Sequence, residues 1–350
     1  MSMCSAAETY VRKAQSDTGF ACSHWAGSGA VAGLEKKLCA HYGAKHALCV
    51  DSATNGLMYL LLAYGLKNSE IMTASLSFGG TIAGALHLGC SFSFADIDDS
   101  LGISPESVKE LLSIRPKTKA IIAVDYAGIP HQTKAIGDIC KEYGLLHFVD
   151  AAQSMGAECS LSEAAALNDA MVVSFGGGKA IFAGGEGGAI ITDNSDLYEK
   201  LLYTCQHAHR QERDLGIGLS CEFALNGRMH PIAALLACEN FESGLNAIQK
   251  KREEMLLALS VLSSFRSVSS TLQQQHSSFY HCPFIVNDTL GFEAEFMESA
   301  LSKDFFYTKK SMASLPDLLA RAGLPRLIKA SRSRRLDSLN GKLFFLHKKT

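Results

Sequence analysis

Short apolar runs alternate with helix-length segments over the first half of the chain, and this alternation constrains the fold more than any other sequence feature. The apolar runs predict strands, and the segments between them predict helices because their apolar side chains recur every three or four residues. Strands separated by helices of this length predict an α/β fold with a mostly parallel central sheet, covered by helices on both faces. The predicted strands are 46–50, 70–73, 91–95, 119–124 and 145–149, and the predicted helices are 29–42, 57–66, 78–88, 105–113 and 131–143.

Three polar segments directly follow predicted strands, and they are the candidate site segments. They are residues 51–55, 150–154 and 174–179. Ligands in sheets of this kind bind at the carboxyl ends of the strands, where such segments meet. We therefore expect the three segments to lie around one site.

The third segment contains a single lysine within a glycine-rich stretch that runs from Ser174 to Gly188. It follows the apolar run 170–173, which predicts a buried strand. Glycines let a bulky group approach the backbone, and Lys179 offers one amine at the strand end. We hypothesise that this amine forms a Schiff base with pyridoxal 5'-phosphate (PLP). A glycine-rich surface turn with a solvated lysine explains the stretch equally well by itself.

The first two segments also allow two interpretations each. Hydroxyls and free backbone N–H groups at 51–56, just before a helix, suit a phosphate, but Ser and Thr also cap helices. Asp150 follows a buried strand and needs a partner, which a protonated pyridine nitrogen would provide. Considered alone, Asp150 is more simply explained as the cap of a helix beginning at 151–153.

Composition excludes several classes of protein. A net charge of -2 and a pI of about 6.6 indicate no basic face, so we expect no nucleic-acid partner. The 11 cysteines include no Cys-x-x-Cys pair, which argues against a disulfide framework and against a metal site. No apolar run approaches the roughly 18 residues of a membrane span, and residues 1–13 do not resemble a secretory signal. We expect a cytoplasmic protein with no membrane partner.

The second half of the chain predicts a change of domain. A helix is expected at 196–207, and a long helix at 229–262 carries the chain into a second unit. A strand near 279–286 and a helix near 292–301 follow. We predict a large domain over residues 1–240, with an N-terminal segment 1–29, and a smaller α+β domain over 241–350.

Several motifs, in this order and spacing, resemble the DegT-type sugar aminotransferases, which are PLP enzymes with the aspartate-aminotransferase fold. The resemblance covers roughly residues 30–240. Its motifs are Asp51-Ser-Ala-Thr54, Ser75-Leu-Ser-Phe-Gly-Gly-Thr81, Phe94-Ala-Asp-Ile-Asp98, Asp150-Ala-Ala-Gln-Ser154, Ser174-Phe-Gly-Gly-Gly-Lys179, Gly185-Glu-Gly-Gly188 and Asn226-Gly-Arg-Met-His-Pro231.

The resemblance implies roles for individual residues. Lys179 would be the Schiff-base lysine and proton shuttle, and Asp150 would pair with the pyridine nitrogen. Gln153 would approach the ring hydroxyl, and Phe78 would stack on the ring. Asn226 would reach the cofactor of the neighbouring subunit, which implies a homodimer with shared sites. The phosphate would be held by Ser174, Thr54 and the backbone at Ala53 and Asn55.

The implied activity is transfer of an amino group from an amino acid, glutamate or glutamine, to a nucleotide-linked keto-sugar or to a keto-cyclitol. Two alternatives are a PLP-dependent sugar dehydratase and a non-catalytic relative that binds a partner. The dehydratases of this family have histidine in place of the lysine, so Lys179 favours transfer. Gly177 and Gly178 depart from the family pattern before the lysine, and no counterpart of the family's terminal helix follows 343–347.

Overall fold

The computed structural model describes residues 26–157, 168–217, 221–310 and 313–349, together with Glu8 and Arg12. The predicted N-terminal segment 1–29 therefore lies mostly outside the described residues. No helix among the described residues is long and apolar enough to cross a membrane.

A large eight-stranded sheet forms the centre of the fold. Its strands are β1 (His46–Val50), β2 (Glu70–Ala74), β3 (Ser91–Ala95), β4 (Thr118–Val124), β5 (Leu146–Asp150), β6 (Ala170–Ser174), β7 (Gly188–Thr192) and β11 (Ile328–Ser331). Their order across the sheet is β1-β7-β6-β5-β4-β2-β3-β11, and only β7 runs antiparallel to its neighbours. The predicted mostly parallel α/β sheet is confirmed.

Helices cover both faces of this sheet, and strands such as β2 and β7 are therefore buried along their whole length. The helices before and between the first strands are α1 (Ala30–Tyr42), α2 (Ala53–Ala63), α3 (Gly80–His87), α4 (Pro105–Ile114) and α5 (Thr133–Tyr143). Later in the chain come α6 (Ser195–Cys205), α7 (Ala208–Leu215), α8 (Pro231–Glu239) and α9 (Phe241–Leu262).

A second, four-stranded antiparallel sheet consists of β8 (Val268–Ser270), β9 (Cys282–Val286), β10 (Phe305–Lys309) and β12 (Leu343–Lys348), in the order β10-β12-β9-β8. The helices in this part of the chain are α10 (Thr289–Glu298), α11 (Leu301–Asp304), α12 (Leu315–Arg321) and α13 (Arg334–Leu339). The apolar face of the sheet packs on α9 and α10 through a cluster of aromatic side chains that includes Phe284, Phe292 and Phe344.

The division after residue 240 stays a prediction. Helix α9 begins at Phe241, but strand β11 pairs with β3 at the edge of the large sheet. Leu315 and Leu319 of α12 also pack in the core of the large sheet. Residues of the predicted second unit thus return to the first.

Two predicted helices differ clearly from the structure. Helix α3 begins at Gly80, so Phe78 lies in the loop before it. The helix predicted at 196–207 is confirmed as α6, which ends at Cys205, whereas the helix predicted at 229–262 is interrupted at Asn240. The Asn240 amide there donates hydrogen bonds to the carbonyl oxygens of Phe182 (2.8 Å) and Leu236 (2.6 Å). These bonds fix the Asn240 side chain at the junction between α8 and α9.

Candidate active site

The three predicted site segments meet around one cavity of about 290 Å³ at the carboxyl ends of the strands. Every predicted site residue except Asn55 and Asn226 lines it. The predicted residues in its wall are Ala53, Thr54, Phe78, Asp150, Gln153, Ser174 and Lys179.

One wall of the cavity is the amino-terminal end of α2. Ser52 caps this helix, and its Oγ accepts a hydrogen bond from the N–H of Asn55 at 3.2 Å. The N–H groups of Ala53 and Thr54 belong to the first turn, where the helix itself offers no acceptor. A Cβ on Gly188 would lie 2.6 Å from the nitrogen of Ala53, so only glycine lets β7 pack this closely. This end of α2 can bind an anion through its free N–H groups and dipole.

Asp150 lies at the end of β5 and is only 8% exposed. Its Oδ2 accepts a hydrogen bond from Thr81 Oγ1 at 2.7 Å, and its Oδ1 accepts one from the N–H of Ala152 at 3.1 Å. Burial raises the pKa of Asp150, and these hydrogen bonds and the charge of Lys179 partly offset the rise. Among the described residues no side-chain cation forms a salt bridge with it.

The alternative interpretation of Asp150, as a helix cap, does not match the structure. Residues 152–156 form turns, and no helix follows β5 within the described residues up to 157. The bond from Ala152 closes one of these turns and uses one carboxylate oxygen. A cationic ligand group beside this buried carboxylate would stabilise its charged form.

Gln153 is oriented by the backbone of the neighbouring loop. Its Oε1 accepts a hydrogen bond from the N–H of Ala127 at 2.7 Å. Because the carbonyl oxygen is engaged, the amide N–H groups of Gln153 remain to donate to a ligand in the cavity.

Lys179 approaches the cavity from the glycine-rich loop after β6. Its Nζ lies 4.1 Å from the centre of the Tyr280 ring, and Tyr280 also lines the cavity. Burial lowers the pKa of Lys179, while the negative charge of Asp150 opposes this. An amine whose pKa is lowered towards neutrality can act as a nucleophile and as a base.

Phe78 stands at the mouth of the cavity with 73% of its surface exposed. Gly80 permits this arrangement, since a Cβ there would lie 2.7 Å from Thr54 Oγ1 and 3.0 Å from the Phe78 ring. An exposed aromatic ring over a polar cavity can stack on a flat ligand.

The two remaining predicted residues lie elsewhere. The N–H of Asn55 is bonded to Ser52, and its side chain donates to Asp51 Oδ2 at 2.7 Å. Asn226 accepts a hydrogen bond from Arg228 Nε at 2.8 Å and lines a separate cavity of about 190 Å³. The roles predicted for both stay predictions.

Two residues of the site were not assigned roles from the sequence. Thr81 belongs to a motif that carried the resemblance, but its contact with Asp150 depends on how α3 packs on β5. Thr81 Oγ1 also lies 2.6 Å from Ser77 Oγ, so a chain of hydroxyls leads to the carboxylate. Tyr280 comes from a distant part of the chain without any motif.

These residues fit PLP. The buried carboxylate of Asp150 without a cation suits a protonated ring nitrogen, and the end of α2 with Ser174 suits a phosphate. Lys179 offers an amine in the same cavity, and the exposed Phe78 offers a ring face at its mouth.

Comparison with known proteins supports the same assignment. The model of the DegT/DnrJ/EryC1/StrS aminotransferase family matches residues 15–311. The UDP-4-amino-4,6-dideoxy-N-acetyl-beta-L-altrosamine transaminase of Helicobacter pylori is 30% identical over 226 residues, which are 64% of this chain and 59% of that protein. The spore coat polysaccharide biosynthesis protein SpsC of Bacillus subtilis is 34% identical over 176 residues, which are 50% of this chain and 44% of that protein. The match thus spans less than two thirds of either relative.

A solved structure shares the fold. NtdA of Bacillus subtilis, solved with bound cofactor PMP, superposes with a TM-score of 0.77 at 19% identity, and the alignment covers 99% of this chain and 77% of NtdA.

Proposed function

The chain belongs to the DegT/DnrJ/EryC1/StrS aminotransferase family, and on this basis we propose that it is a PLP-dependent aminotransferase. Its acceptor would be a keto-sugar, nucleotide-linked, or a related biosynthetic ketone such as a keto-cyclitol. Its donor would be glutamate or glutamine. The observation that carries the proposal is that Lys179 and the buried, cation-free Asp150 line one cavity.

Each residue of the site has a part in this proposal. When bound, PLP supplies an aldehyde that captures amines and a pyridinium ring that accepts electrons. Asp150 would hold a proton on the ring nitrogen, and Thr81 would orient the carboxylate through its 2.7 Å hydrogen bond. Thr54, Ser174 and the first turn of α2 would hold the phosphate.

Lys179 would attach the cofactor through Nζ and then act as a base on the donor. Because burial lowers the pKa of Lys179, its free amine gives up its proton more readily than an exposed lysine and can then accept the proton from the donor Cα. Phe78 would keep the ring in one plane, so that the amine transfers protons at one face only.

The proposal includes a homodimer whose subunits share their sites through Asn226. Phe223 and Leu225, close to Asn226 in the chain, are 98% and 45% exposed. Large apolar side chains exposed together favour a protein contact at this place. We also propose a cytoplasmic location, because a reducing compartment suits the free thiols of the described cysteines.

The test is covalent trapping of the cofactor. The purified protein mixed with PLP should develop the absorbance of a lysine-bound cofactor, and borohydride should fix the label on the peptide that contains Lys179. Lys179→Ala should lose both the band and the transfer of labelled nitrogen to a panel of keto-sugars. Trapping at another lysine, or an unchanged band in the variant, would refute the assignment.

A further inference from the structure

A second and larger cavity, of about 580 Å³, adjoins the first at Lys179. The two cavities share Lys179, Gln153 and Tyr280 in their walls. The larger one is closed by α9, by the segment 278–281 and by His347 of β12. Among the described residues its lining includes Lys251 and His281 as well, but no aspartate, glutamate or arginine.

Lys251 of α9 is a partly buried cation in this wall. Its Nζ donates a hydrogen bond to the carbonyl oxygen of Tyr280 at 3.4 Å. Among the described residues no carboxylate forms a salt bridge with it, whereas Lys348 pairs with Glu254 at 2.6 Å. Burial lowers the pKa of Lys251. Among the described residues, the carbonyl oxygen of Tyr280 is therefore the hydrogen-bond acceptor of this partly buried amine.

The lowered pKa of His281 reflects its burial and the positive charge around the cavity. Burial is the main cause that lowers the pKa of His281 to about 4, and nearby positive charges lower it further. Near neutral pH its ring is therefore uncharged and can donate one N–H. The groups that contribute positive charge are Lys310, His347, Lys251 and Lys179.

The wall that carries Tyr280 and His281 is anchored to the large sheet. Ser278 N–H donates to the carbonyl oxygen of Gly128 at 2.9 Å, and Ser278 Oγ donates to that of Gln153 at 2.8 Å. His281 N–H donates to the carbonyl oxygen of Ala127 at 3.0 Å. These bonds hold Tyr280 and His281 beside Lys179 before any ligand binds.

We propose that Lys251 and His281 form a subsite for the side-chain carboxylate of a dicarboxylic amino-acid donor. The cavity adjoins the amine with which the donor must exchange, and no acid of the described part of the chain lines it beside Lys251. Ile181, Phe182 and Ile248 line the rest, which suits the methylene groups of a short acidic side chain. A diphosphate would require more cations, and arginine above all. This inference rests on the proposed function, since it selects the acidic donor over the neutral amide.

The experiment compares two neighbouring lysines of α9. Lys250 is exposed and Lys251 is not, so Lys250→Met removes the same charge without touching the cavity. Binding of glutarate, a dicarboxylate without an amine, is measured calorimetrically on the PLP-loaded protein. We expect Lys251→Met to weaken glutarate at least about 10-fold relative to Lys250→Met, because a hydrogen bond to a charged group is lost. Lys251→Arg should restore part of the affinity.

UDP serves as the second probe and separates a carboxylate from a nucleotide phosphate. We expect its affinity to be equal in the two methionine variants. A loss for UDP with unchanged glutarate binding would assign the cations to the acceptor and overturn the proposal. Equal glutarate affinity in both variants, or no measurable glutarate binding by the unaltered protein, would also overturn it. Should Lys251→Met prove unstable, Lys251→Gln is compared with Lys250→Gln by the same criteria.

This design separates the subsite from the proposed function. Glutarate cannot donate an amine, so its binding does not depend on transfer. If the protein transfers amines but the two methionine variants bind glutarate equally, the proposed function is supported and the subsite is refuted. If the protein transfers no amine but Lys251→Met selectively loses glutarate binding, the subsite is supported and the proposed function is refuted.

Discussion

Gly128 is the residue at which the link between the two sheets can be broken most directly. It has a φ of 87°, and a Cβ there would lie 2.9 Å from the carbonyl oxygen of Gln153 and 3.0 Å from the nitrogen of Tyr280. The Ser278 hydroxyl would be closer still. Gly128→Ala must therefore push the segment 278–281 away from the large sheet.

The loss of folding free energy expected for Gly128→Ala has two parts. Alanine in a left-handed conformation costs about 1–2 kcal/mol. Displacing Ser278 would break its two hydrogen bonds, to Gly128 and to Gln153, at about 1 kcal/mol each. We expect a total destabilisation of about 3–4 kcal/mol. Gly144→Ala is the matched control, because Gly144 has a φ of 64° and nothing lies within 4 Å of the added Cβ. It should show the conformational part alone.

The assay is urea unfolding followed by far-ultraviolet circular dichroism. With a slope of about 3 kcal/mol per M or more, the 2 kcal/mol that separates the two variants should shift the midpoint by roughly 0.5 M. Gly128→Ala should also weaken glutarate binding, since the displaced segment carries His281, and Gly144→Ala should not. Equal midpoints for the two variants would show that the predicted clash does not exist.

Three further predictions concern the site itself. Asp150→Asn should lower the rate of amine transfer by at least about 100-fold, the equivalent of one charge-assisted hydrogen bond of about 3 kcal/mol, and Thr81→Val should lower it less; single-turnover rates near that of the unaltered protein would contradict the role. The unfolding temperature should fall as pH drops from about 6.5 towards 4, because the unfolded chain protonates His281 first, and His281→Gln should flatten this dependence; an identical slope in the variant would count against it. Mixed Lys179→Ala and Asn226→Asp chains should regain activity in hybrid dimers if sites are shared, whereas activity equal to the mean of the separate variants would exclude sharing.

The large sheet could be predicted from the sequence because most of its strands are buried and are therefore rich in apolar residues. Strand β3 is mostly buried, and the apolar side chains of Phe92, Phe94 and Ala95 mark it as a strand in the sequence. Strand β7 was not predicted, since antiparallel insertion between β1 and β6 is a property of pairing rather than of composition. Strand β11 joins the sheet through contacts made over more than two hundred residues, such as the bond from Arg332 N–H to the carbonyl oxygen of Phe94.

The same distinction applies to the site. Asp150, Ser174 and Lys179 lie at strand ends, and the rule for ligand binding in α/β sheets places them together. Tyr280 reaches the same place through the bonds that join the segment 278–281 to the loop at Ala127 and Gly128. No local sequence pattern predicts that contact. The backbone of Ala127 is left-handed there, with a φ of 62°, but this conformation cannot be read from the sequence.

Charge placement around Lys179 gives the site a polarity that shape alone would not. Asp150 offers a negative charge on one side, and Lys251 with the field around His281 offers positive charge on the other. With the cofactor bound, the protonated ring nitrogen would pair with Asp150, so the positive charge at Lys251 would dominate the field that the donor meets. A side-chain carboxylate at 4 Å from Lys251 would gain about 4 kcal/mol of Coulomb energy in a partly solvated site, before the cost of desolvation. This attraction favours one orientation of an acidic donor, with its acidic end at Lys251 and its amine at Lys179. A neutral donor such as glutamine would lose the attraction at Lys251 and should bind less tightly for that reason.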